Sequence, residues 1–358
     1  MMFVIKVLVF LVGFAVVAAT CLSAVRAIVL PRGSAETLVR VVFVVMRRVF
    51  NLWLHSAHTY LDRDRIMAFY APLSVLALLP TWLLLVTIGY TAMFWALGVP
   101  SWYQAFRISG SSVFTLGFAM ADDPVRTNVA LSEAAVGLML VALLIAYLPT
   151  MYAAFQRRET AVTLLEVRAG TPPSAVELIL RFQRIHGLDR LGDLWASWEV
   201  WFADIGESHT SLAALSFFRS PFPGRSWVTA AGAVLDAAAL SATTVDLERD
   251  ARADLCIRAG YLALRQIVDL FRLPYNPDPH FPDDPISISR AEFDAACDLL
   301  ASKGVLLKPD RDQAWRGFAG WRVNYDDVLL AMCSLTMAPW APWSSDRAPK
   351  FRTPSMFR

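Results

Sequence analysis

Ser109 to Pro124, SGSSVFTLGFAMADDP, holds the residues best suited to chemistry, and its centre is Thr115, Leu116, Gly117, Phe118 and Ala119. A threonine hydroxyl followed by main-chain carbonyls that point at one axis can replace the water shell of a passing cation. Turning successive carbonyls inward alternates the backbone between ordinary and left-handed conformations, which favours glycine at alternate positions. Gly117 meets that need and Ala119 meets it poorly. Asp122 and Asp123 come directly after and could concentrate cations at the outer mouth, the plainer alternative being a solvated turn ahead of Pro124. Passage of a cation through such a loop would be passive. No catalytic residue and no cofactor are expected, and the chain does not read as an enzyme.

Other constellations are weaker. Glu133 is the one acid inside an apolar run, placed either to reach the surface or to brace the loop before it. Gly137 and Pro149 stand where a pore-lining helix would bend and where its ends would converge as a gate, or else serve helix packing and a tolerated kink. Trp195, Trp198, Trp201 and Phe202 recur at helical spacing and read as core. His186 and His209 stand alone near helix ends. Asp278, His280, Asp283 and Asp284 lie in a proline-rich loop whose spacing matches no calcium loop, and no metal is expected beyond a permeating cation. Cys21, Cys256, Cys297 and Cys333 are too scattered for a disulfide framework or a zinc site. There is no serine nucleophile elbow, HExxH or phosphate-cradling loop.

The elements around the loop can be read from composition. The chain of 358 residues is 56% hydrophobic and 18% charged, outside the ordinary soluble class, and the excess lies before Arg157. A net charge of +2, with no basic stripe among aromatics, gives no reason to expect nucleic acid. Val7 to Val25 is uncharged and long enough to cross a bilayer core of about 30 Å; a cleaved signal peptide is the rival. From Glu36 to Tyr60, Arg40, Arg47 and Arg48 cluster on one side of an apolar helix. This predicts a helix lying in the membrane interface with its arginines toward lipid phosphates, a further crossing being the alternative. Ile66 to Gly98 reads as a span, Ser101 to Phe114 as a short re-entrant helix whose negative end faces the loop, and Thr127 to Phe155 as the last span.

Beyond Arg157 the sequence predicts helices at 174–186, 188–207, 227–243, 251–271, 290–303 and 312–337, separated by proline-rich breaks. It contains no GxGxxG and no alternation of strand with helix. The expected fold class is therefore an all-α membrane protein. Its parts are an N-terminal transmembrane anchor (1–30), a cytoplasmic amphipathic interfacial helix (31–65), a helix, re-entrant loop and helix (66–157), a helical cytoplasmic domain (158–340) and a disordered tail (341–358).

Over 66–157 the chain resembles the potassium-channel pore family, which has two membrane helices and a re-entrant filter loop per subunit. The filter of that family reads Thr, then Val, Ile or Leu, then Gly, then Tyr or Phe, then Gly. Four of the five positions match in Thr115 to Ala119; Ala119 replaces the second glycine, and Met120 stands where an acid is usual. The resemblance implies a homotetramer with one filter loop per subunit. Thr115, Leu116, Gly117 and Phe118 would supply the ion sites, with Ala119 completing the mouth, and the partners would be a permeating monovalent cation, potassium foremost, and membrane lipid.

Arg26, Arg32, Arg40, Arg47, Arg48, Arg63 and Arg65 fall between the first two spans, whereas only Arg107 and Arg126 flank the loop. The positive-inside rule then places the loop mouth and the N-terminus outside a cell membrane and the C-terminal region in the cytoplasm. Two other readings compete. One is a pore-derived membrane sensor or anchor that does not conduct and whose cytoplasmic domain binds a partner. The other is a membrane-bound enzyme acting through 160–340, for which no motif stands out.

Overall fold

Three stretches are apolar and long enough to cross a bilayer: Met2–Ile28, Tyr60–Ala96 and Pro124–Ala169. A computed structural model describes residues 1–30, 37–55, 59–120 and 123–348, and among these the chain is helical, with one isolated bridge between Val245 and Leu307. In chain order the first helices are α1 (Met2–Ile28), α2 (Thr37–Leu54), α3 (Tyr60–Ala68), α4 (Tyr70–Ala96), α5 (Trp102–Val113) and α6 (Pro124–Ala169). Beyond them come α7 (Ala175–Arg184), α8 (Leu191–Ser211), α9 (Trp227–Thr243), α10 (Ala251–Leu270), α11 (Arg290–Ser302), α12 (Arg311–Arg322) and α13 (Asp326–Thr336). Contacts divide the chain into two units, Met1–Ser56 with Phe69–Tyr152, and Ala57–Ala68 with Ala153–Arg358.

The first unit is built on α4. Its apolar residues run all round the helix, so it can bury one side against α1 and another against α5. Trp82, Val86 and Phe94 are fully enclosed there. With few charges to repel them, α1 and α4 meet backbone to backbone: a Cβ built on Gly13 would lie 2.5 Å from the Gly89 carbonyl. Helix α2 packs on the start of α4, where Phe43 and Phe50 set their rings edge-on to Tyr70. This corrects the expectation that its arginines all face lipid phosphates. Arg48 is exposed, but Arg47 is buried with its guanidinium 5.3 Å from the centre of the Tyr70 ring. An aromatic face next to the apolar side of α2 accepts a weakly hydrated guanidinium.

The second unit is centred on α9, whose residues 227–241 are all buried and whose one charged residue is Asp236. Asp236 meets Arg322, whose Nη1 lies 2.7 and 2.8 Å from its two oxygens, while Arg322 Nε donates to Asp326 at 2.6 Å and Nη2 to the Trp343 carbonyl at 2.7 Å. Tyr325 donates to Asp236 as well, at 2.9 Å. That network explains two departures from the sequence reading. The helix expected over 312–337 breaks at Val323–Tyr325, because Arg265 takes the Asn324 carbonyl at 2.9 Å and the turn delivers Arg322 and Tyr325 to Asp236. The stretch 341–348, expected to be unpacked, holds the buried Ala341 and Ser344 and is fastened through Trp343. Residues 349–358 lie outside the described residues. Trp195, Trp198, Trp201 and Phe202 are buried, as their spacing predicts.

Helix α3 belongs to this second unit. Arg219 forms an ion pair with Asp64 and also donates to the carbonyls of Thr336 and Met337. At the far end of α6, Arg158 is buried and donates to the carbonyls of Leu215 and Phe218 at 2.8 and 2.7 Å, with Glu159 as its acid.

Candidate functional site

Helix α5 starts where its sequence says it should. The Ser101 hydroxyl accepts the Gln104 amide at 3.2 Å, an N-cap with extended backbone after Pro100. The helix ends at Val113, with Phe114 as C-cap, and its last turn anchors residues 115–119. The Thr115 amide donates to the Ser112 carbonyl at 2.9 Å and the Leu116 amide to the Ser111 carbonyl at 2.8 Å. The Ala119 amide then donates to the Ser111 hydroxyl at 3.1 Å. Between these anchors the backbone is non-helical and exposed, with Leu116 64% and Phe118 58% accessible.

Two residues of the segment are left-handed, Thr115 at φ 55° and Gly117 at φ 71°. Left-handed backbone, expected at 117 and 119, falls on 115 and 117 and leaves 119 out. Glycine meets that requirement at 117. Threonine does not, and its Oγ1 donates to the adjoining Phe114 carbonyl at 2.7 Å, holding the strained residue locally. Ala119 needs no such freedom, which is why alanine is accommodated there.

Helix α6 lies against α5. A Cβ on Gly137 would come 2.3 Å from the Val113 carbonyl, so Gly137 admits the end of α5, and α6 is continuous through both Gly137 and Pro149. Glu133 is fully buried, and its Oε1 lies 2.5 Å from the Ser109 hydroxyl. Ser109 also approaches the Thr87 carbonyl of α4 at 3.1 Å. The carboxylate of Asp123 accepts the Val125 and Arg126 amides at 3.0 and 3.1 Å and pairs with Arg126 Nε at 2.9 Å, so it caps α6. Arg126 in turn donates to the Leu97 carbonyl at 3.0 Å. Asp122 lies outside the described residues. The Arg107 guanidinium sits 5.8 Å from the Phe118 ring and 6.0 Å from that of Tyr103.

Of the residues singled out from sequence, Gly137 and Glu133 meet α5, at Val113 and Ser109, while Asp123 caps α6 and Pro149 lies farther along that helix. Sequence reasoning marked Glu133 as the one acid inside the span, leaving open whether it reaches the surface, and missed Ser109, since one serine among several in a short helix gives no signal. It also missed the Arg126 clamp on Leu97, whose only hint was a lone arginine close to two helix ends.

Elsewhere, Asp284 accepts the His280 and Asn276 N–H groups at 2.9 and 3.1 Å, which holds its carboxyl below the usual carboxylate range. Among the described residues no group of three or more His, Cys, Asp or Glu could hold a metal. His186 is exposed. His209 is buried with Nε2 3.2 Å from Arg158 Nη1, and burial first, then the arginine charge, holds its pKa well below the ordinary 6.5. Comparison with protein-family models, with curated proteins and with solved structures finds no match.

Proposed function

We propose that the chain forms a homotetrameric pore that conducts a monovalent cation, potassium by resemblance, with 115–119 of each subunit lining the narrowest part. The observation that carries this reading is the alternation of left-handed backbone at Thr115 and Gly117, in an exposed segment set directly after a short helix and between two membrane-length helices. Carbonyls turned by such an alternation, repeated around an axis, would take the place of an ion's hydration shell. The carbonyl end of α5 adds a negative field beside the segment. Exposed Leu116 and Phe118 would be covered by neighbouring subunits. The mouth would face outside and the second unit the cytoplasm, by the arginine distribution.

Two observations favour a pore-derived sensor or anchor that does not conduct. Thr115 directs its hydroxyl hydrogen to its own chain, and the left-handed positions fall two residues earlier than the glycines of the resembled filter. Potassium flux into vesicles containing the purified protein decides between them. Flux above protein-free vesicles, blocked by a large monovalent cation, is expected; its absence from a properly assembled tetramer overturns the conducting reading.

A further inference from the structure

Ser109 stands just before the last turn of α5 with two oxygens close to its own. One is the Thr87 carbonyl of α4, at 3.1 Å, and the other is Oε1 of Glu133 on α6, at 2.5 Å. A hydroxyl has one hydrogen to give, and a carbonyl has none. If Ser109 donates to Thr87, the shorter contact needs a hydrogen from Glu133. If it donates to an ionised Glu133 instead, two bare oxygens face each other at the Thr87 carbonyl. The 2.5 Å length suits either case; the count of hydrogens separates them.

The surroundings agree with the first case. Glu133 is 0% exposed, and its Oε2 has no hydrogen-bond partner. Among the described residues no ion pair reaches it. Arg126 is taken by Asp123 and the Leu97 carbonyl, and Arg107 lies over the rings of Tyr103 and Phe118. The titratable group facing it from α4 is Tyr90, whose hydroxyl sits 3.0 Å from that of Ser132. An unpartnered carbonyl oxygen at membrane depth is tolerable, whereas an uncompensated carboxylate there is far more costly.

We infer that Glu133 is an uncharged carboxylic acid that donates to Ser109, which donates to the Thr87 carbonyl, and that this chain across α6, α5 and α4 positions residues 115–119. The last turn of α5 transmits the effect, because Ser111 receives the amides of both Leu116 and Ala119. That the positioned segment is an ion path rests on the function proposed above; the protonation of Glu133 does not.

The test uses the full chain in lipid vesicles. The infrared difference between wild type and Glu133→Gln should contain the carbonyl stretch of a protonated carboxyl at neutral pH, and Ser109→Ala should shift it to higher frequency. Carboxylate bands in its place overturn the protonation. Hydrogen exchange of the peptide spanning 114–120 reads the positioning. Glu133→Ala should speed it roughly fivefold, the factor given by losing one hydrogen bond of ordinary strength. Glu133→Gln, whose side-chain N–H can still donate to Ser109, should match wild type. Should Glu133→Ala fail to fold, Ser109→Ala gives the same reading. Unchanged exchange in whichever of the two folds removes the positioning role. Absence of potassium flux would sink the channel reading while leaving both spectroscopic outcomes intact.

Discussion

Gly117 has φ 71° and open space where a Cβ would stand, so Gly117→Ala meets no clash and its whole effect is conformational. A non-glycine residue at a left-handed position costs about 1 to 2 kcal/mol per subunit, enough to redirect carbonyls while the fold survives. The expected outcome is loss of cation flux with an unchanged elution profile in detergent; wild-type flux in this variant would remove 115–119 from the ion path. Gly137 is the opposite case. Its Cβ would sit against the backbone of Val113, which cannot step aside, so Gly137→Ala should destabilise by roughly 1 to 3 kcal/mol and lower the melting temperature in detergent. An unaltered melting temperature would mean that α5 and α6 separate easily. At this scale the sequence was legible where one residue type has one use. Gly117 could be read, whereas Glu133, left between reaching the surface and bracing the loop, proves fully buried. The left-handed Thr115 could not, since no property of a threonine side chain announces φ 55°.

Elements were more legible than their junctions. The start of α5 is set by Ser101, that of α7 by Ser174 accepting the Glu177 amide, and that of α11 by a full Ser289–Glu292 capping box. The break between α12 and α13 escaped, because its cause is Arg265 from another helix. Arg47 escaped for a similar reason, its aromatic partner lying on α4. Burial of Arg322 between Asp236 and Asp326 ties α9, α12, α13 and residue 343 together. Arg322→Met leaves two carboxylates enclosed without a cation and should cost about 3 to 5 kcal/mol, read by thermal unfolding or by loss of folded protein on expression. A neutral result would show that both acids become protonated at little cost.

At the scale of the whole molecule, acid should weaken the second unit through His209. Unfolded, its imidazole takes up a proton near 6.5; folded, burial and Arg158 hold it neutral well below that. The unfolded state then binds more protons as pH falls, so stability is complete above about 6.5 and is lost progressively beneath it. Thermal unfolding of the full chain at about pH 7.5 and about pH 5.5 measures this, and His209→Gln should flatten the difference. An equal slope in that variant would assign the acid sensitivity to other groups. Assembly is tested by light scattering in detergent: a tetramer is expected, and a monomer could build no axial pore.

The backbone passes between the two units three times, because α3 is held by Arg219 while its continuation, α4, belongs to the other unit. A body tethered by one thread can only be tugged. One tethered by separate leads, into α4 and out of α6, is restrained in rotation as well as in distance.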